Sequence, residues 1–149
     1  MTNADRLCLT SDRITSILRS VWPYAPSAWL TSRKYQLPTS EQIRATVLES
    51  GVRDLERRDG SGECDFFALQ MHAAIRRQSY LLYNDDAPWP VGQCLGTRMD
   101  FSPAPVHACN IVIRDDHRVL LIEPQTYQMI EVAGPIRPKD RNHVFFILM

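Results

Sequence analysis

The stretch Ser61-Gly62-Glu63-Cys64-Asp65-Phe66-Phe67-Ala68-Leu69-Gln70-Met71 decides how the rest of the chain is interpreted. Within it, a polar segment that contains glycine gives way to apolar residues at helical spacing. These apolar residues are Cys64, Phe67, Ala68, Met71 and Ile75, at i, i+3, i+4, i+7 and i+11. Because such spacing forms one stripe of a helix, it predicts a helix from about Cys64 to about Tyr80.

Cys64 falls in the first turn of this predicted helix. The first turn presents unpaired N–H groups and the positive end of the helix dipole, so a thiol there ionises more readily than a free thiol. A thiolate is nucleophilic, whereas the neutral thiol is a weak nucleophile. Cys64 is therefore a candidate nucleophile, and the alternative is that it packs as a small buried hydrophobe. That alternative is our interpretation of the remaining cysteines, Cys8, Cys94 and Cys109.

Composition limits the class of protein. The 149 residues are 44% hydrophobic and 23% charged, which is typical of one globular domain, here 1–149. Seventeen basic and 17 acidic residues give a formal net charge of zero, which offers no electrostatic case for a nucleic-acid or membrane partner. No apolar segment reaches bilayer length and no signal peptide is recognisable, so we expect a cytoplasmic protein with free thiols.

The predicted helices precede the predicted strands. Helices are expected from about Ser11 to Ser20 and from a capping box at Thr39 and Gln42 to about Ser50. From Val91 onward the apolar period changes to two, which predicts strands at 91–99, 106–113, 118–123, 127–132 and 143–149. This order indicates an α+β domain in which the Cys64 helix packs on an antiparallel β-sheet.

Two further polar residues are predicted to meet on this sheet. His107 and Glu123 lie on strands that a tight turn at Asp115-Asp116 connects, so antiparallel pairing brings them within a residue or two of register. A carboxylate at Glu123 would orient the imidazole of His107, and the imidazole would take the proton of Cys64. Asn110 lies three residues after His107, on the opposite face of the strand, and is the poorer third member.

Several segments resemble the papain-like cysteine peptidases of the transglutaminase-like/papain-like superfamily. Glu63-Cys64-Asp65-Phe66-Phe67-Ala68-Leu69 is similar to their Cys-Asp-Asp-[Phe/Tyr]-Ala motif. The papain-like C-terminal domain of the fairy-ring mushroom agglutinin shares the order and spacing of three further segments. These are Trp89-Pro90-Val91-Gly92, His107-Ala108-Cys109-Asn110-Ile111 and Ile122-Glu123-Pro124-Gln125-Thr126. The resemblance spans about residues 35–132.

The resemblance implies a papain-like fold, a catalytic triad of Cys64, His107 and Glu123, and hydrolysis of peptide bonds in a protein or peptide substrate. It also implies a divalent cation such as calcium. The second acid of the motif is Phe66 in this chain, so a role of that acid does not carry over. A papain-like site needs an oxyanion hole, for which Gln36 is the candidate side chain, and Trp89 is a candidate wall of the substrate cleft.

Three functions follow from these expectations. The first is a thiol peptidase that acts through an acyl-thioester at Cys64. The second is a transglutaminase or deamidase that modifies glutamine side chains through the same intermediate. The third is a protein-binding relative of the fold without catalysis.

Overall fold

The computed structural model describes residues 8–24, 27–55, 63–83 and 87–149. Within these ranges, the helices are α1 (Ser11–Val21), α2 (Ser40–Glu49) and α3 (Glu63–Tyr83), with a 3-10 turn at Val52–Asp54. The early strands are β1 (Cys8–Thr10), β2 (Ser27–Trp29) and β3 (Lys34–Gln36). The later strands are β4 (Val91–Thr97), β5 (Val106–Ile113), β6 (Val119–Ile122), β7 (Met129–Val132) and β8 (His143–Leu148).

Local sequence signals account for where α1 and α2 begin. The Thr10 hydroxyl accepts a hydrogen bond from the backbone N–H of Arg13 at 3.3 Å and caps α1. The predicted capping box at α2 is confirmed, because Gln42 N–H donates to Thr39 Oγ1 and Thr39 N–H donates to Gln42 Oε1. Both caps satisfy N–H groups that a helix leaves unpaired at its start.

Six strands form the main sheet in the order β2-β8-β4-β5-β6-β7, and β1 pairs with β3 in a separate two-stranded sheet. Four of the five neighbouring pairs in the main sheet are antiparallel, whereas β2 pairs with β8 in parallel. The predicted wholly antiparallel sheet is therefore wrong at the β2 edge. The expected order of helices first and strands after is also wrong, because three short strands lie among the first two helices.

These three strands were missed for a physical reason. Each has three residues, which is too short for a period of two to appear, and each pairs with a segment that the local sequence does not specify. Tyr35 is an example, since it lies in β3 with 1% of its surface exposed although no local pattern predicts a strand there.

Helices cover both faces of the main sheet. Alternate residues of β5 point to opposite sides, so Ile111 packs in the cluster that contains α1, and Val112 packs in the cluster that contains α2 and α3. Strands β5 and β6 are buried along nearly their whole length as a result. This packing fixes the position of the start of α3 relative to the start of β5 and the end of β6.

Candidate functional site

A buried hydrogen-bonded pair, His107 and Glu123, joins the two strands of the β5–β6 hairpin. His107 is the second residue of β5, and Glu123 directly follows β6. His107 Nε2 lies 2.6 Å from Glu123 Oε2, and the two residues are only 6% and 4% exposed. The antiparallel register, in which Asn110 pairs with Ile122, produces this contact. The sequence predicted the contact between these two side chains, and the structure contains it.

The turn after β6 holds the carboxylate of Glu123. Its second oxygen, Oε1, accepts a hydrogen bond from the backbone N–H of Gln125 at 3.3 Å. The backbone of Glu123 donates to the carbonyl of Gln128 and accepts from the N–H of Tyr127, each at 2.8 Å. Because Oε2 faces Nε2 of His107, the neutral imidazole carries its hydrogen on Nε2 and keeps a lone pair on Nδ1. The pair therefore presents a basic nitrogen in a fixed orientation.

Cys64 shares a cleft with this pair. It is the second residue of α3, it is half-buried, and it lines a cleft of about 350 Å³ together with His107 and Glu123. The remaining lining residues are Glu63, Val106, Gln125, Thr126 and the loop segment 101–104. A thiol at a helix start, an imidazole and a carboxylate thus border one space. When such a thiol and imidazole are in hydrogen-bond contact, a proton can pass from sulfur to nitrogen and leave a nucleophilic sulfur.

The loop between β4 and β5 forms one wall of the cleft, and side chains outside it hold that wall in place. Asp100 accepts hydrogen bonds from Asn142 Nδ2 at 2.9 Å and from Arg141 Nε at 2.6 Å. The Asn142 bond and then the Arg141 bond lower the pKa of the Asp100 carboxyl. Asp100 therefore stays ionised and keeps the loop tied to the segment before β8. No local sequence pattern predicts this wall, because the partners of Asp100 lie 41 and 42 positions away.

Asn110 connects the helix that carries Cys64 to the strand that carries His107. It is completely buried on β5, and its Nδ2 donates to the carbonyl of Ala68 at 2.8 Å and to that of Gly92 at 3.0 Å. Ala68 lies one turn after Cys64 on α3. One side chain therefore sets the position of the thiol-bearing turn against β5 and β4. The sequence pattern indicates Asn110 only as a poor orienter of His107 and does not predict its contact with α3.

Two predicted site residues do not reach the cleft. Gln36 lies in β3, where its Oε1 is 4.0 Å from Cys8 Sγ, and it is not among the residues that line the cleft. Trp89 is 1% exposed and stacks against Tyr83 with ring centroids 5.5 Å apart. The expected roles of Gln36 in an oxyanion hole and of Trp89 in a cleft wall are corrected accordingly. Gln36 is paired in a strand and Trp89 is buried in the core, so neither side chain faces a ligand at this site.

A metal site was expected only from the resemblance. Among the described residues, no group of three or more His, Cys, Asp or Glu side chains is arranged to hold a metal ion. The expectation of calcium therefore rests on no cluster of ligands in the described part of the chain, and no observation tests it. Across the same residues, no helix has the length and apolar character that a bilayer crossing requires.

Comparison with known proteins identifies solved structures of similar fold. No family model and no curated protein matches the sequence. A solved complex of PSL1a with E64 has a TM-score of 0.73 and 20% identity, and the match covers 96% of this chain and 51% of that chain. Polyporus squamosus lectin bound to the human-type influenza-binding epitope Neu5Acα2-6Galβ1-4GlcNAc has a TM-score of 0.72 and 18% identity, over 96% and 50% of the two chains.

This chain has the fold of about half of a lectin chain. The similar structures bear the name of a lectin and not that of a papain-like peptidase, which overturns the identification as a papain-like cysteine peptidase. The papain-like fold assignment, the hydrolase and thiol-protease activity, and the transglutaminase or deamidase alternative are wrong with it. The expected peptide or protein substrate also lacks support, since one of these structures contains an oligosaccharide epitope. The motif around Cys64 was too short and too degenerate, with Phe66 in place of an acid, to identify an activity.

Proposed function

We propose that this chain is a ligand-binding domain whose binding site is the Cys64 cleft, and that the Cys64 thiol can hold an electrophilic ligand covalently. The observation that carries the proposal is the buried His107–Glu123 pair in the same cleft as a half-exposed thiol. Burial of an imidazole and a carboxylate is costly unless they pair, and here the pair borders an open cavity instead of being sealed in the core. The structural likeness to PSL1a, which is described in complex with E64, supports a ligand at this fold.

The covalent step needs only groups that border the cleft. E64 carries an epoxide, and its ring carbon is the electrophile. The thiol proton of Cys64 moves to Nδ1 of His107, and the sulfur attacks the epoxide carbon. A carbon–sulfur bond forms, the carbon–oxygen bond breaks, and the proton returns from the imidazolium to the new alkoxide. Glu123 stabilises the imidazolium between these two transfers.

The experiment compares Cys64 with a thiol of the same chain that has no such partners. Cys8 is also half-buried but lies on β1, where its Sγ is 4.0 Å from Oε1 of Gln36. The wild-type protein is incubated with E64 near neutral pH, and adducts are mapped by mass spectrometry of proteolytic fragments. We expect one adduct, at Cys64, no adduct in Cys64→Ser, and at least about tenfold slower labelling in His107→Ala.

Labelling of Cys8 at the same rate as Cys64, or labelling of Cys64 that is unchanged in His107→Ala, would overturn the proposal. Either result would mean that the imidazole does not act on the thiol.

A second candidate is glycan binding, which the epitope in the Polyporus squamosus lectin structure favours. The polar side chains Glu63, Gln125 and Thr126 in the cleft offer hydrogen-bond partners for hydroxyl groups. Calorimetric titration with Neu5Acα2-6Galβ1-4GlcNAc tests this candidate directly. If the trisaccharide occupies the Cys64 cleft, it should bind to Cys64→Ser and should slow E64 labelling of the wild type. Absence of measurable heat at millimolar trisaccharide would exclude glycan binding.

A cytoplasmic location of the protein stays a prediction.

A further inference from the structure

We propose that Cys94 and Cys109 form a redox pair that closes to a disulfide between strands β4 and β5. Nothing in the ligand-binding proposal requires this bond, and the two thiols lie outside the residues that line the cleft. Cys94 and Cys109 are directly opposite each other in the antiparallel ladder, and their sulfur atoms are 3.5 Å apart.

The backbone already meets the geometry of a disulfide. Directly opposed residues in an antiparallel pair have Cα atoms about 4.5 or about 5.5 Å apart, depending on their hydrogen bonding. Both separations fall within the range of about 4.4–6.8 Å that disulfides span. Since Cys94 and Cys109 are opposed without a bulge between them, rotation about the side-chain bonds is enough to bring the sulfur atoms together.

An apolar environment surrounds the two thiols, which contact each other and not solvent. The two residues are 1% and 0% exposed, and they lie in the apolar cluster between the sheet and α1. The hydrogen bond with Cys94, followed by burial, raises the pKa of Cys109 well above its ordinary value. Because both thiols are sealed from solvent in the folded protein, the bond should form during folding or after local opening, when a thiolate is accessible.

Oxidised glutathione can supply the two oxidising equivalents. The thiolate of one cysteine attacks the glutathione disulfide, which forms a mixed disulfide and releases one glutathione thiolate. The thiolate of the second cysteine then attacks the cysteine sulfur of the mixed disulfide and releases the other glutathione. The protein loses two hydrogen atoms, a sulfur–sulfur bond forms, and two molecules of reduced glutathione carry the protons.

The bond would constrain a functionally important segment. The chain between Cys94 and Cys109 contains the loop that walls the cleft, together with His107. A disulfide across these two positions, which are 15 apart in the sequence, would limit the freedom of the intervening segment in the unfolded chain. We expect the oxidised form to melt about 6–12 °C above the reduced form.

The test uses a Cys8→Ser/Cys64→Ser variant, so that Cys94 and Cys109 are its only thiols. The variant is unfolded in guanidinium chloride and refolded by dilution into buffers that contain reduced and oxidised glutathione at graded ratios. Remaining thiols are alkylated with N-ethylmaleimide under denaturing conditions, and the intact mass is measured. Refolding removes the barrier of burial, so the result reports the preference of the native state.

The expected product in oxidising buffer is a monomer without adducts and lighter by two hydrogen atoms, whereas reducing buffer gives two adducts. A third replacement, Cys94→Ser, should leave a single thiol that is alkylated or joined to glutathione. If the parent variant fails to refold, the wild-type chain is refolded in the same way, and non-reducing proteolysis should release a linked fragment that contains Cys94 and Cys109. Two adducts in every buffer, or a linkage to another cysteine in the wild type, would overturn the proposal. Because the variant lacks Cys64, its result is independent of the E64 experiment.

Discussion

Replacement of Asn110 by leucine should destabilise the fold and disturb the candidate site together. Leucine has a similar volume but removes the two hydrogen bonds that Nδ2 donates to Ala68 and Gly92 at 2.8 and 3.0 Å. Each bond contributes about 1 kcal/mol to stability, and each carbonyl that loses its donor adds a penalty of similar size. Part of this cost is offset, because Oδ1 of Asn110 is buried and has no partner among the described residues.

We therefore expect Asn110→Leu to lower the free energy of unfolding by about 2 kcal/mol, which corresponds to a fall in Tm of about 4–8 °C. The variant should remain folded, and its Cys64 should react more slowly with iodoacetamide than the wild-type residue, since α3 is no longer tied to β5. The assays are thermal unfolding followed by circular dichroism and fragment mapping after timed alkylation.

Asn110→Asp gives a pH-dependent version of the same test. A protonated carboxyl can still donate one hydrogen bond, whereas a carboxylate would face two carbonyl oxygens, so its pKa in the folded state should be raised. Stability relative to the wild type should be greatest at acidic pH and should be lost as the pH rises through that pKa. Asn110→Leu should show no such trend relative to the wild type. A cost below about 0.5 kcal/mol for leucine, or a flat pH difference for aspartate, would refute the role assigned to Asn110.

Three other predictions concern His72, Gly92 and Thr39. Burial, and then the charge of Arg76, lowers the pKa of His72 to about 4. The unfolded chain therefore binds a proton at His72 more tightly than the folded chain does. The protein should lose stability as the pH falls from about 6.5 toward 4. Urea unfolding gives the free energy of unfolding at pH 7 and at pH 4.5. The decrease between these pH values should be smaller for His72→Gln than for the wild type, by roughly 2 kcal/mol after allowance for solvent near the ring. Equal decreases in the two proteins would contradict this prediction. Gly92→Ala should lower the free energy of unfolding by about 3 kcal/mol or more, since the new methyl group would overlap the carbonyl of Leu148. As a control, Gly51→Ala at φ +70° meets no atom and should lower it by about 1 kcal/mol, measured by thermal unfolding of both variants. Thr39→Ala should cost about 1 kcal/mol through loss of the capping box, and a Tm equal to that of the wild type would argue against it.

The sequence predicted those parts of the fold that depend on local chemistry. The helix that contains Cys64, the capping box of α2 and the strand at 106–113 were all visible as periodic or capping patterns, and the structure contains them. The contact between His107 and Glu123 was also accessible, because a tight turn links their strands and fixes the register. Each of these features is determined by residues close together in the chain.

The parts that the sequence did not predict depend on distant partners. The parallel pairing of β2 with β8 joins Ser27 to Phe146, and no local pattern encodes such a pairing. Gln36 was assigned to the site because it is a glutamine before the Cys64 helix, but strand pairing with β1 determines where it lies. The burial of Asn110 likewise depends on hydrogen bonds to the carbonyls of α3 and β4, which lie far away in the sequence. Identification of an activity from a short motif failed for a related reason, since the motif describes a helix start as well as a site.

The rate of alkylation of Cys64 as a function of pH tests the central claim most directly. Wild type and His107→Ala are treated with iodoacetamide between pH 5 and 9, and the rates at Cys64 and Cys8 are obtained from the same fragments. If the imidazole of His107 accepts the thiol proton, Cys64 should react faster than Cys8 at neutral pH in the wild type, and His107→Ala should remove that advantage. Parallel pH profiles for the two cysteines in both proteins would contradict the account.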